Sequence, residues 1–340
     1  MTLEAQRPAL GQDEARRLAR ELYGLDAALE PLPSERDQNY RITIDGGEQL
    51  VLKISGSAES AEHLDLQNQA LDWVAEHDPE LPVQRLRPTI ANDTMAVIRS
   101  GDGQEHRVRL LTHLPGSVLA DARPHSPAML RDLGARLAQL DRALEGFDHP
   151  AAKRPEFFWN LERAPQIVRA QLESIEDPAR RIVLERVLEL WDAVVAPVLA
   201  SLRRGVIYND ANDHNVLVGE PGPEGRGVTG FIDFGDMLEG PLVCDLAIAV
   251  AYAMLGKRHP LAACAQVVEG YNDVLPLTEP ELEVVFPLVC ARLAASVSLS
   301  AERRATEPES DYLMISETPA WETLERLADV PPRLARGLLR

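Results

Sequence analysis

Two polar clusters, YNDANDHN at 208–215 and DFGD at 233–236, interrupt a second half of the chain that is otherwise patterned for helices. Each sits on apolar runs too short for a helix: Gly205-Val206-Ile207 and Val216-Leu217-Val218 flank the first, and Gly230-Phe231-Ile232 precedes the second. Short apolar runs bounded by polar turn-formers read as strands. A turn over 220–227 folds the later run back along the earlier one, and that hairpin sets Asp233 beside Asn215. Asp210, Asn215 and Asp233 then converge at one end of a two-stranded unit. Asn and Asp are also favoured in ordinary loops, so either cluster alone reads equally as a turn. The pair at this spacing, with a lysine-bearing strand upstream, is a much narrower pattern.

The rest of the chain is organised around that interruption. Ala15, Leu18, Ala19 and Leu22 mark an amphipathic helix over 13–23. Tyr40, Ile42 and Ile44 alternate with polar residues, Asp45-Gly46-Gly47 turns, and Leu50 to Ile54 runs back as a β-hairpin. Leu64, Leu66, Ala70, Leu71 and Val74 pattern a helix over 59–77, and strand-like pieces follow at 82–88, 95–98 and 107–111. The strands stop at Leu114-Pro115-Gly116. Beyond them, helices are expected over 127–145, 161–174, 179–203, 241–254, 260–274, 279–304 and 318–328. The expected class is α+β, a small mixed N-lobe over 1–112 and a larger helical C-lobe over 113–340, an outline similar to the two-lobed protein-kinase fold.

Charge and cysteines narrow the partners. A net charge of −19 over 340 residues argues against nucleic acid, which requires a basic stripe. Cys244, Cys264 and Cys290 lie in apolar runs without metal-ligand spacing, so they read as core residues of a reducing compartment. The charged N-terminus lacks the apolar core of a signal peptide, and no unbroken run of about twenty apolar residues offers a membrane span. The expectation is a cytoplasmic protein without a membrane partner.

The converging side chains suit phosphoryl transfer. Mg²⁺ prefers hard oxygen ligands and keeps waters and phosphate oxygens, so one carboxylate and one amide suffice from the protein. A further carboxylate orients the attacking hydroxyl and accepts its proton. Lys53, in QLVLKIS, is a candidate phosphate ligand, although a lysine in an apolar strand is more often an exposed edge residue. Its alternation partners leave its face open. Glu62 and Asp65, three apart on the next helix, could each hold it. The loop from Pro33 to Asn39 stands where a phosphate-covering loop belongs but contains no glycine.

Taken together these residues resemble the aminoglycoside phosphotransferase and choline kinase superfamily, whose signature is His-Gly-Asp, four residues and Asn. Within it the chain is most similar to the hydroxylysine kinase group. PSERDQNY, LVLKIS, DLQNQAL, RLLTHLPG, LAQLDRALEGFDHP, FFWNL, YNDANDHNVLV, FIDFGDM and SDYLMISETPAW carry the likeness in order along nearly the whole chain. The resemblance implies Asp210 as catalytic base, Asn215 and Asp233 as Mg²⁺ ligands, and Lys53 on the phosphates of ATP or GTP. It implies that Ser34 and its neighbours lie over those phosphates, and that the backbone of Leu111, Thr112 and Leu114 meets the base. Two departures stand out. Tyr208-Asn209 replaces His-Gly, and Gln67 occupies the slot usually holding glutamate, leaving Asp65 or Glu62 to pair with Lys53, with Asp65 preferred.

For the acceptor, Asp213, Asp236, Glu239, Trp159, Arg292 and Tyr312 are candidate lining residues, with Trp159 of FFWNL read first as a core residue. Asp213 and Asp236 flank the catalytic residues and could attract an ammonium group. Arg292 lies in the apolar run LVCARLAASVSLS and needs a partner, either a salt bridge within the fold or a substrate carboxylate. Asp245 is expected to hold the catalytic loop. The implied activity is a kinase for a hydroxylated amino acid or amino alcohol. Aminoglycoside phosphorylation and a catalytically silent binding module are the alternatives, and the 236–245 stretch leaves no room for a protein kinase's activation segment.

Overall fold

The computed structural model describes residues 7–34, 36–101, 103–222, 225–306 and 317–338. The chain forms two compact units, 1–115 and 116–340. The division falls after Pro115. His113 still donates its N–H to Gln49 O at 3.0 Å in the first unit, whereas Ser117 already pairs with Val218 in the second.

In the first unit a helix α1 (Gln12–Tyr23) precedes strands β1 (Leu29–Leu32), β2 (Gln38–Thr43) and β3 (Gln49–Ile54), a helix α2 (Ala61–His77), and strands β4 (Leu86–Arg87), β5 (Ala96–Arg99) and β6 (Glu105–Thr112). The antiparallel sheet runs β1-β2-β3-β6-β4, with β5 also paired to β6. The expected hairpin is β2–β3, in register from Gln38 opposite Ile54 to Thr43 opposite Gln49. β1 has no strand signal in the sequence because Pro31 sits inside it, and proline is tolerated only where an edge strand needs no donor. Ala15, Leu18 and Ala19 of α1 pack with Tyr40, Ile42, Leu50, Leu52, Ile54, Val108 and Leu110 in one apolar cluster. Side chains alternate along a strand, so Lys53 and Arg109 point to the opposite face, where they are cross-strand partners.

The second unit begins with β7 (Ser117–Val118) and α3 (Pro127–Ala143), then α4 (Ala164–Gln171) and α5 (Pro178–Leu190). Strands β8 (Arg204–Ile207), β9 (Val216–Val218), β10 (Val228–Phe231) and β11 (Leu238–Pro241) follow, and then α6 (Leu242–Ala253), α7 (Pro260–Val274), α8 (Glu279–Thr306), α9 (Glu317–Leu327) and α10 (Pro332–Leu338). The expected helix over 179–203 stops as α-helix at Leu190 and continues as a π turn over Trp191–Val195. Pro197 disfavours helix at the residue before it and supplies no amide hydrogen.

Helix α8 corrects the expectation that no stretch offers a membrane span. Over Glu279–Glu302 it is long and apolar enough to cross a membrane by length and composition. Its most apolar stretch is almost wholly buried inside the unit, because it packs against α4, α5, α6, α9 and α10. Burial on all sides accounts for its composition.

Helices α3 and α7 approach most closely at two glycines. A Cβ on Gly134 would lie 1.9 Å from Val267 O, and one on Gly270 would lie 1.9 Å from Arg131 O. Neither obstacle is a side chain that can rotate away. Gly134→Ala or Gly270→Ala is therefore expected to force the helices apart and cost about 3 kcal/mol, the upper part of the usual overpacking range. Urea denaturation measures this, and a variant within about 0.5 kcal/mol of the parent would show that the helices separate freely.

Candidate active site

The first polar cluster lies between β8 and β9, and its entry is fixed from below by Asp245 of α6. That carboxylate accepts the N–H of Tyr208 at 2.8 Å and also the N–H of Asn209. Burial pushes Asp245 up to about 6, against the opposing hydrogen bonds from Asp141 and the two amides. Asn209 has a φ of +63°, the left-handed conformation that glycine adopts freely and asparagine tolerates. Its side chain donates to Asp236 O at 3.0 Å and to Trp159 O at 3.4 Å, which a glycine could not do. Tyr208 packs its ring on Phe231 and Phe234, and its hydroxyl donates to Ile232 O. Tyr-Asn thus supplies a buried polar ring tied to the residue after β10 and a left-handed turn.

Asp210 follows with both oxygens engaged. Oδ1 accepts from Asn212 Nδ2 at 2.7 Å and Oδ2 from Asn215 Nδ2 at 2.6 Å. Asn212 Oδ1 in turn accepts the N–H groups of His214 and Asn215, at 2.8 and 3.1 Å, so the loop is wound around its own asparagines. Burial raises the Asp210 carboxyl well above its usual range, helped by the Asp236 and Asp233 charges and opposed by Arg292 and Asn212. The expected hairpin forms as β9–β10, and Ile232 donates its N–H to Asn215 O at 3.0 Å. Asp233 lies one residue further at φ +59°, with Gly235 N–H on its Oδ1 at 3.3 Å.

Nearby acidic groups sit deep. Asp213 is 7% exposed and its Oδ1 has no hydrogen-bond partner among the described residues. Asp236 is buried at 4%. Glu239 lies on β11, where its charge acts on Arg204. Arg292 of α8 is 3% exposed and stands over the Trp159 ring at 4.2 Å and the Tyr252 ring at 5.5 Å. Its Nη2 donates to Tyr252 Oη at 3.3 Å, its Nε has no acceptor, and it makes no ion pair among the described residues. The internal salt bridge considered for it is absent there. Tyr312 lies outside the described residues, as does most of SDYLMISETPAW.

In the first unit Lys53 is buried on β3, an inner strand, and not exposed at an edge. Its Nζ is 3.6 Å from Asp37 Oδ2. Asp37 also receives the Gly56 N–H on Oδ1 at 3.3 Å, and Ser34 Oγ accepts the Asp37 N–H at 3.2 Å. Ser34 therefore shapes the loop that presents Asp37. Glu62 is exposed, and Gln67 Oε1 accepts from Arg109 Nη2 at 2.9 Å, so neither holds Lys53. Asp65 accepts from Gln69 Nε2 at 2.7 Å. Leu111 is laddered between β3 and β4, and Thr112 gives its N–H to Arg85 O. Leu114 is bonded through its backbone to no described residue, which leaves it the open position of that segment.

The model of the phosphotransferase enzyme family matches residues 28–279, the span that carries Lys53, Asp210, Asn215 and Asp233. The chain belongs to that family. Hydroxylysine kinase of Danio rerio is 34% identical over 337 residues, covering 96% of this chain and 94% of the relative. Hydroxylysine kinase of Mus musculus is 32% identical, covering 95% and 91%. Among solved structures, a microcompartment-associated aminopropanol kinase superposes with a TM-score of 0.70 at 18% identity, covering 93% of this chain and 97% of the other. An amicoumacin kinase bound to AMP-PNP and Ca²⁺ gives 0.69 at 15%, covering 95% of each. At such identities the structures establish the kinase-like fold, and the family establishes a phosphotransferase that uses a nucleotide donor and an alcohol acceptor.

For this phosphotransferase the donor set fits a metal brought by a nucleotide. Among the described residues no three His, Cys, Asp or Glu side chains gather as a self-contained metal cage. Asn215 turns its Nδ2 to Asp210, which leaves its Oδ1 and the Asp233 carboxylate as hard oxygen donors. Two further residues touch candidate residues without any sequence signal that marks them, Asp37 beside Lys53 in the first unit and Tyr252 beside Arg292 in the second. Asp37 lies in a loop where Asp ordinarily means a turn, and Tyr252 ends the apolar run LAIAVAY, where an aromatic ordinarily means core.

Proposed function

We propose that the protein phosphorylates the side-chain hydroxyl of a hydroxylated amino acid, with 5-hydroxylysine the first acceptor to test. The observation that carries this is Asp210, a half-buried carboxylate oriented on both oxygens by Asn212 and Asn215, with the unpartnered Asp213 oxygen three residues on. Asp210 orients the acceptor hydroxyl and takes its proton as the hydroxyl oxygen bonds to the γ-phosphorus. The bond from γ-phosphorus to the bridging oxygen breaks and the nucleoside diphosphate departs. Asp213 and Asp236 attract the acceptor's ammonium groups. Asn215 and Asp233 would hold Mg²⁺, which neutralises phosphate charge when bound. Lys53, steadied by Asp37, takes phosphate oxygens, and Leu114 offers its free backbone groups to the base of ATP or GTP.

Purified protein with Mg²⁺ and either ATP or GTP should transfer phosphate to hydroxylysine with a higher kcat/KM than to homoserine, ethanolamine, choline or kanamycin. A preference for kanamycin or choline would discard the amino-acid acceptor and keep the chemistry. No turnover on any acceptor would favour a silent binding module.

A further inference from the structure

Arg292 is a cation buried in a helix core, with no ion-pair partner among the described residues. Burying a guanidinium without a carboxylate is costly, and the Trp159 and Tyr252 faces offset only part of that cost. One hydrogen bond, to Tyr252 Oη, leaves Nε without an acceptor. The group is also linked to the catalytic loop. Trp159, which stacks on it, is bonded through its carbonyl to Asn209, the residue before Asp210. Its charge reaches Asp210, whose carboxyl it holds down against burial. Tyr252 feels the same neighbours: burial pushes its phenol up, Arg292 opposes, and the Asp210 and Asp213 charges add to the rise. A cation with an empty donor is thus joined through Trp159 to the residue before the candidate base, and a buried anion with an empty acceptor lies three residues after that base.

On the reading of the acceptor as a hydroxylated amino acid, we propose that Arg292, clamped against Trp159 and Tyr252, binds the acceptor's carboxylate and is the residue that separates amino acids from amino alcohols. A planar guanidinium meets a carboxylate through paired N–H donors, and a desolvated pair of this kind discriminates strongly when one partner is missing. Asp213 supplies the complementary contact for an ammonium group, so the head group is read by opposite charges.

The test compares 5-hydroxylysine with 1,5-diaminopentan-2-ol, the same chain without its carboxylate, in the wild-type protein, Arg292→Met and Arg292→Lys. Wild type should favour hydroxylysine at least about 30-fold in kcat/KM, mainly through KM. In Arg292→Met that ratio should collapse toward one. Arg292→Lys, which keeps the charge but loses the fork, should retain part of it. A wild type indifferent to the carboxylate overturns the proposal without any variant and leaves the kinase reading intact, so a misfolded Met variant does not protect it. Equal losses on both acceptors in the variants would make Arg292 a structural residue. Turnover by wild type of neither compound and of no other hydroxylated amino acid, homoserine included, would reject the hydroxylated amino-acid reading itself, and this assignment with it.

Discussion

Asp210→Asn is expected to lower kcat by roughly 10²–10⁴-fold while nucleotide affinity stays within about twofold of the parent. Asparagine keeps the size of the side chain but removes the lone pair that takes the hydroxyl proton. The loss corresponds to about 3–5 kcal/mol of transition-state stabilisation. Asn212 and Asn215 both donate to Asp210, so a carboxamide keeps one of these bonds on its oxygen and loses the other. That adjustment is local. Burial already disfavours the Asp210 charge, so neutralising it should leave thermal stability equal or slightly higher. Retained stability and nucleotide binding, measured by thermal melts and calorimetry, would place the defect in the chemical step. Near-normal turnover would remove Asp210 from the role of base.

The features legible in the sequence are those with a short-range physical signature. The β2–β3 hairpin shows because residues alternate around a glycine turn, and the β9–β10 hairpin because two apolar runs flank a turn. What the sequence could not show depends on which face or which neighbour a side chain meets. Lys53 is ambiguous in sequence because Val51 and Ser55 fit either face. The ladder to β6 decides it, by placing Val108 and Leu110 with α1 and Arg109 opposite Lys53. Gln67 looks like a lost glutamate, yet with Asn68 it holds the buried Arg109. An amide and a carboxylate at one helical position cannot be assigned a role until the cation facing them is known. Asp37 shows the same limit, since its link to Lys53 spans two strands and a loop. Arg292 shows it too: the sequence demanded a partner, and the fold supplies two aromatic rings in place of a carboxylate.

Asp233→Ala and Asn215→Ala should each weaken Mg·nucleotide binding at least about tenfold, with little effect on nucleotide alone. Both remove an oxygen donor, and in a protein of net charge −19 the metal has to offset repulsion of the phosphates. The two variants should differ in their other effects. Asn215 also orients Asp210 through Nδ2, so its loss should lower kcat even at saturating Mg·nucleotide, whereas Asp233 bonds to the Gly235 amide and acts on Asp210 through its charge. Alanine at 233 introduces a separate problem, because φ there is +59°, a conformation that Asp and Asn tolerate through local hydrogen bonding and that costs alanine about 1 kcal/mol. Asp233→Asn resolves it: asparagine tolerates the left-handed conformation and keeps an oxygen, but it loses the charge. If charge on the metal is what matters, Asp233→Asn should bind Mg·nucleotide nearly as poorly as Asp233→Ala while melting like the parent. Calorimetric titrations with and without Mg²⁺ decide this, and wild-type affinity in both Asp233→Asn and Asn215→Ala would mean that the metal is held elsewhere.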